Sequence, residues 1–248
     1  MLTFLPKTIT WQGAREALEF TTVEIIFQII AFLFAISIHE SAHAWSAYRL
    51  GDDTARLLGR ISLNPIRHID PIGTIFLPLM AVLAHVPLLG WAKPTPVNLL
   101  RLRNRVRDNA LIAAAGPISN FMIAGMAVIL LLVLRSLSSE AAQAIISLVG
   151  FGRMDFGDSI MTPVVLLLHS FMAVNVILGI FNLFPIPPLD GSHVLEAMLP
   201  DRAREMYSSI GSYGTLILLL ILWQTDIFSR MIYPPLRFFN SLLLPRFF

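Results

Sequence analysis

The stretch Thr22–Tyr48 reads TVEIIFQIIAFLFAISIHESAHAWSAY. From Ile25 to Ile38 it is almost wholly apolar, and with its flanks it exceeds the roughly 20 residues that carry a helix across a bilayer. Gly51, Asp52 and Asp53 close it with turn chemistry. Toward its C-terminal end stand His39, Glu40 and His43. Residues four apart share one helix face, so both imidazoles can grip a single metal ion. Glu40, beside the first of them, can serve as general base on a water molecule. A five-residue pattern of this kind arises by chance in soluble proteins, and polar side chains in a membrane helix can simply glue helices together. Here three ionisable groups sit at metal-site spacing inside a membrane-length helix, where each is costly unless pairing or function offsets it.

The rest of the chain is read outward from that helix. Of 248 residues, 56% are hydrophobic and only 14% charged, well below the quarter or so usual in soluble domains. No Asp, Glu, Lys or Arg occurs in 110–134, 159–189 or 206–225, and each run is of membrane-spanning length. The formal charge of +2 is too small to suggest a nucleic-acid partner, and without cysteine any metal must be held by His, Asp or Glu. Residues 1–21 contain Glu16 and Glu19 and give no removable signal peptide. Nine of the 18 Lys and Arg residues fall between 49 and 107, in two basic loops that belong on the cytoplasmic side. The apolar segment 72–91 lies between those loops and is interrupted by Pro78, Pro87 and Gly90. Having both ends on one side, it is expected to be re-entrant or a hairpin lining a cavity rather than an extra span.

These features predict an all-α polytopic membrane protein: one membrane-embedded domain over 1–248. Its core helices are expected at about 22–48, 109–134 and 159–184, with a peripheral membrane helix at 206–224 and an interfacial tail at 231–248. His39 precedes Arg49 by ten residues, about 15 Å along a helix. The metal would then lie roughly halfway into the hydrocarbon, nearer the cytoplasm.

Catalytic zinc usually takes three protein ligands, so a third must come from His68, His85, His169, Asp190 or His193. Asp190 stands out. It follows a long uncharged run, inside Asn182-Leu-Phe-Pro185-Ile-Pro187-Pro188-Leu-Asp190-Gly191, whose prolines must break the preceding helix. His193 is the next candidate, His169 reads as a core histidine, and His68 as a surface or structural turn residue.

The His39–His43 motif and the Asn182…Asp190-Gly191 motif, with Ala115-Gly116-Pro117-Ile118-Ser119-Asn120 between them, resemble the site-2 protease family of intramembrane zinc metalloproteases. Gly59-Arg60…Asn64-Pro65…Asp70-Pro71-Ile72-Gly73-Thr74 and Gly90-Trp91-Ala92-Lys93-Pro94 resemble its compact prokaryotic branch, without PDZ or CBS domains. The resemblance covers about 22–200. It implies a three-helix catalytic core and one zinc ion per chain held by His39, His43 and Asp190. It also implies Glu40 as acid/base, and hydrolysis of peptide bonds within transmembrane segments of other proteins in the cell membrane. Asn120 and Asn182 are candidate substrate or oxyanion groups, with helix bridging as the alternative. Asn175 is assigned to packing. Residues 92–98 are a candidate strand for pairing with an unwound substrate. The rival from another class is a transporter that uses the His/Glu/Asp group as a proton or metal relay. It would show repeated halves, and none are found.

Overall fold

The computed structural model describes residues 22–83, 90–152, 159–224 and 226–244. In chain order its helices are α1 (Thr22–Arg49), α2 (Thr54–Leu57), α3 (Leu77–Leu83), α4 (Arg105–Leu137), α5 (Ser139–Ile145), α6 (Met161–Asn182), α7 (Asp190–Met198), α8 (Asp201–Ile210), α9 (Gly214–Gln224) and α10 (Ile227–Leu243), and no strand occurs among the described residues. The all-α membrane class expected from the sequence is what the structure has: α1, α4 and α6 are long and apolar enough to cross a bilayer.

These three pack on one another as the core. α1 turns one line of residues inward at four-residue spacing: Ala31, Ala35 and Ala47 are fully buried, and His39 and His43 between them are each 7% exposed. Small side chains along that line let two helix backbones approach closely, which brings the histidines against α4. The opposite faces remain apolar and exposed, as at Phe34 on α1 and Met122, Met126 and Ile129 on α4. That is the pattern of a lipid-facing surface. A second apolar layer joins α4 and α6 to α5 and α10 through Val128, Leu131, Ile145, Met172 and Leu243.

The start of α4 is fixed by reciprocal capping. Asn104 Oδ1 accepts from Arg107 N at 3.0 Å, and Asp108 Oδ2 accepts from Asn104 N at 2.9 Å.

Segment 72–91 begins with a π-helical turn, Pro71–Phe76, and α3; residues 84–89 lie outside those described. Its ends meet. Trp91 N donates to Gly73 O at 3.1 Å, and Thr74 Oγ1 donates to Trp91 O at 2.8 Å. A Cβ on Gly73 would lie 2.4 Å from the Trp91 ring, so only glycine lets the indole close this junction. The two described ends of the segment therefore meet.

Two elements differ in detail from their expected outline. The helix expected at 206–224 is broken by a 3₁₀ turn at Gly211–Tyr213. The α9 that follows it has 11 residues, about 16 Å along its axis. The tail expected at the interface instead runs along α6. Ile227, Met231 and Ile232 face Ile180, Phe181 and Phe184 at one end, and Asn240 bonds His169 at 3.0 Å further along. Arg135 at the far end of α4 donates to Leu243 O. Prolines at 234 and 235 do not end α10, because its apolar face and the Asn240–His169 bond hold it against the bundle. Residues 245–248 of that tail lie outside those described.

Candidate metal centre

α1 presents His39 and His43 to α4, and the chain between α6 and α7 brings Asp190 to the same point. The prolines end α6, and the chain folds back so tightly that a Cβ on Gly191 would lie 2.1 Å from Leu183 O. Ser192 Oγ ties the turn by donating to Leu189 O at 2.6 Å. Asp190, as first residue of α7, then points at the imidazoles. His39 Nε2 and His43 Nε2 are 3.0 Å apart and lie 3.1 and 3.3 Å from Asp190 Oδ2.

Hydrogen-bond direction decides what those three atoms present. Phe171 O can only accept, so Asn175 donates its Nδ2–H to it at 2.8 Å and turns Oδ1 toward Asn120. Asn120 then donates Nδ2–H to Asn175 Oδ1 at 2.8 Å and presents its own Oδ1 to His39 Nδ1 at 2.6 Å. His39 must therefore carry its proton on Nδ1. His43 Nδ1 likewise donates to Ile112 O at 2.7 Å. With Nδ1 of both rings committed to α4, each ring turns its Nε2 toward the Asp190 carboxylate. Asp190 Oδ2 is buried and makes no hydrogen bond that meets ordinary geometry.

Two imidazole nitrogens and a carboxylate oxygen, all metal-ligating atoms, thus converge on one point. Their separations match the edge of a tetrahedron with 2.0–2.1 Å bonds, which is about 3.3 Å. Gly116 supplies the room: a Cβ there would lie 2.5 Å from both His39 Cε1 and His43 Nε2. Nitrogen and oxygen donors in this geometry, each imidazole oriented by a bond from its other nitrogen, fit zinc.

Glu40 faces the same space. One ligating atom from each of His39, Glu40 and His43 falls within a 4.8 Å group. Its Oε2 accepts from Thr95 N at 2.8 Å and Thr95 Oγ1 at 2.7 Å.

The remaining candidates separate cleanly. Asn120 is fully buried and spends both ends of its amide on His39 and Asn175, so it stands behind the imidazole rather than before a substrate. Asn175, assigned to packing, is the second link of that chain. Its signal in the sequence was its position, seven residues before Asn182 on a helix without Asp, Glu, Lys or Arg. Asn182 donates to Leu178 O at 3.0 Å at the end of α6. His193 turns to Glu196 at 3.5 Å, and His169 to Asn240. His68 is buried within the 58–70 loop and donates to Ser62 O at 2.8 Å. His85 lies outside the described residues.

The loop groups around the site are fixed by charge and burial. Burial alone would raise the Asp52 carboxyl, but bonds from Thr54 and from Asn98 N outweigh it and hold its pKa below the usual range. Burial pushes the His68 imidazole below its ordinary value, and the Arg60 and Arg67 charges act in the same direction.

A fold of membrane-length helices around a buried N,N,O donor set defines a class, the membrane-embedded metalloenzymes. The family model described as "Peptidase family M50" matches residues 27–223, and the chain belongs to that family. A Bacillus subtilis protein named "Putative zinc metalloprotease YwhC" is 34% identical over 85% of this chain and 86% of its own length. A Mycolicibacterium smegmatis protein named "Putative zinc metalloprotease Rip2" is 26% identical over 86% of this chain and 73% of its own. The Mycobacterium tuberculosis protein of that name is 24% identical over 89% of this chain and 76% of its own. No solved structure matches the chain. The resemblance to site-2 proteases thus holds: the protein is an intramembrane zinc protease, and the comparisons give the transporter reading no support.

Proposed function

We propose that His39, His43 and Asp190 are the zinc ligands, that Glu40 is the proton-transfer group, and that the substrates are transmembrane segments cut below the cytoplasmic face of the cell membrane. The observation that carries this reading is the approach of His39 Nε2, His43 Nε2 and Asp190 Oδ2 to 3.0–3.3 Å of one another beside Glu40. A zinc ion held by these three side chains would supply Lewis acidity toward the scissile carbonyl and the attacking water. Glu40 takes the proton from the attacking water and returns it to the leaving amine. Asn120 and Ile112 O hold the two rings in the tautomer that leaves Nε2 free. The basic loops at 49–67 and 93–107 support a cytoplasmic location for this end of α1.

Residues 92–98 pass beside Glu40, but their donors are largely committed. Lys93 N is bonded to His68 O, Thr95 N to Glu40 and Asn98 N to Asp52, and Pro94 and Pro96 have no N–H. Pairing with an unwound substrate as a continuous strand is therefore not part of this reading.

The test compares wild type with Glu40→Gln in detergent. Equal zinc content with loss of cleavage of a transmembrane peptide is expected. Undiminished cleavage by the variant would remove Glu40 from the chemistry.

A further inference from the structure

Arg60 is 6% exposed, yet among the described residues no carboxylate pairs with it. Its guanidinium donates only to backbone carbonyls: Arg67 O, Lys93 O, and Pro94 O at 2.7 Å. A buried cation satisfied by neutral acceptors is costly to keep, so what it fastens matters. It fastens the two residues before Thr95. The same segment is tied at Trp91 to Gly73, at Lys93 N to His68 O at 2.9 Å, and at Asn98 N to Asp52 Oδ2 at 2.6 Å. Thr95 sits at the middle of this strap: its N–H goes to Glu40 Oε2 at 2.8 Å, and its hydroxyl lies 2.7 Å from the same oxygen and 3.0 Å from the Glu40 backbone carbonyl. Among the described residues, Glu40 Oε1 has no such partner.

The terminal torsion of a glutamate is a broad rotor. Two donors on Oε2 fix the carboxylate plane and leave Oε1 as the oxygen available for proton transfer. We propose that Thr95 is a positioning residue for Glu40, held in register by the buried Arg60 clamp. This rests on the reading of Glu40 as the proton-transfer group. The strap then contributes to the reaction through Glu40 rather than by binding substrate.

The test uses full-length protein in detergent and a labelled single-span peptide of about 20 apolar residues with a central Asn-Gly step. Thr95→Val removes the hydroxyl and keeps the shape. It should lower kcat about tenfold while KM changes less than about twofold, because positioning acts on the chemical step. Zinc content should be unchanged, and Thr95→Ser should restore kcat to within about twofold of wild type. Wild-type or faster turnover by Thr95→Val, the latter marking the strap as a restraint on the site, overturns the proposal. If Glu40→Gln also cuts normally, it is the acid/base reading that fails; a dead Glu40→Gln beside a fully active Thr95→Val sinks the positioning role alone. Should the wild type not cut this peptide, a double-mutant cycle of Thr95→Val and Glu40→Ala on thermal unfolding decides. Non-additive shifts are expected, and strict additivity overturns the pairing.

Discussion

Adding one methyl group at Gly116 should disable the metal centre. An ideal Cβ there would stand 2.5 Å from His39 Cε1 and from His43 Nε2, and 2.6 Å from His39 Nε2. Ordinary contact begins near 3.5 Å, so each ring would have to retreat by about 1 Å. The rings cannot do so on their own. His39 is tied to Asn120 and His43 to Ile112 O, and both partners lie on α4, the helix that carries Gly116. The helix that pushes the imidazoles is thus the one that holds them. Relief requires α1 and α4 to separate, which strains both bonds and spreads donors whose placement a metal site tolerates to only about 0.2 Å. Gly116→Ala should therefore lower zinc affinity about 100-fold and cost about 1–3 kcal/mol in overpacking. Zinc per chain by plasma mass spectrometry, with a chelator competition for affinity and a thermal melt for stability, reads both effects. Gly125→Ala is the control on the same helix: its Cβ meets nothing within 4 Å, so it should keep wild-type zinc and gain up to about 1 kcal/mol of helix stability. If Gly116→Ala bound zinc as the wild type does, the packing of α4 on the two imidazoles would be wrong.

Asn120→Leu should leave the His39 Nδ1–H and Asn175 Oδ1 buried without partners, costing about 1–3 kcal/mol each. It should also weaken zinc binding about 10–100-fold. Unchanged affinity in the chelator assay would place Asn120 outside the metal's support. His68 gives a pH dependence whose sign follows from its burial. The folded protein prefers the neutral ring and the unfolded chain takes up a proton near pH 6.5. The unfolded state therefore binds more protons just below that value. Its stabilisation is present above about pH 6.5 and is lost as pH falls through it. Melting temperatures measured from pH 8 to 5.5 should drop more for wild type than for His68→Gln, and parallel curves would contradict this.

What was legible in the sequence was what local periodicity carries. Charge-free runs mark α4 and α6, and the apolar stretch Ile25–Ile38 marks α1, because a bilayer demands apolar length. The four-residue spacing of His39 and His43 guarantees a shared helix face whatever the rest of the chain does. Asp190 was readable because prolines and Gly191 announce a turn after a long apolar helix. Boundaries beyond α6 were not. A charge-free run such as 206–225 cannot reveal a 3₁₀ break, and the lie of α10 depends on the Asn240–His169 contact with a helix far away in sequence.

The roles of the polar residues around the site depended on the tertiary structure. An asparagine in an apolar helix looks the same in sequence whether it faces a substrate or the back of an imidazole. The direction of its amide is set by neighbours 55 and 81 positions away. Thr95 lies in a Pro-rich loop with no sequence mark of its own, and it meets Glu40 because Arg60 and Asp52 draw that loop across α1. The sequence by itself determined membrane class and the two-histidine face, since both follow from spacing along one helix. Which distant groups complete that face was decided by packing, since hydrogen-bond partners are chosen by proximity in space.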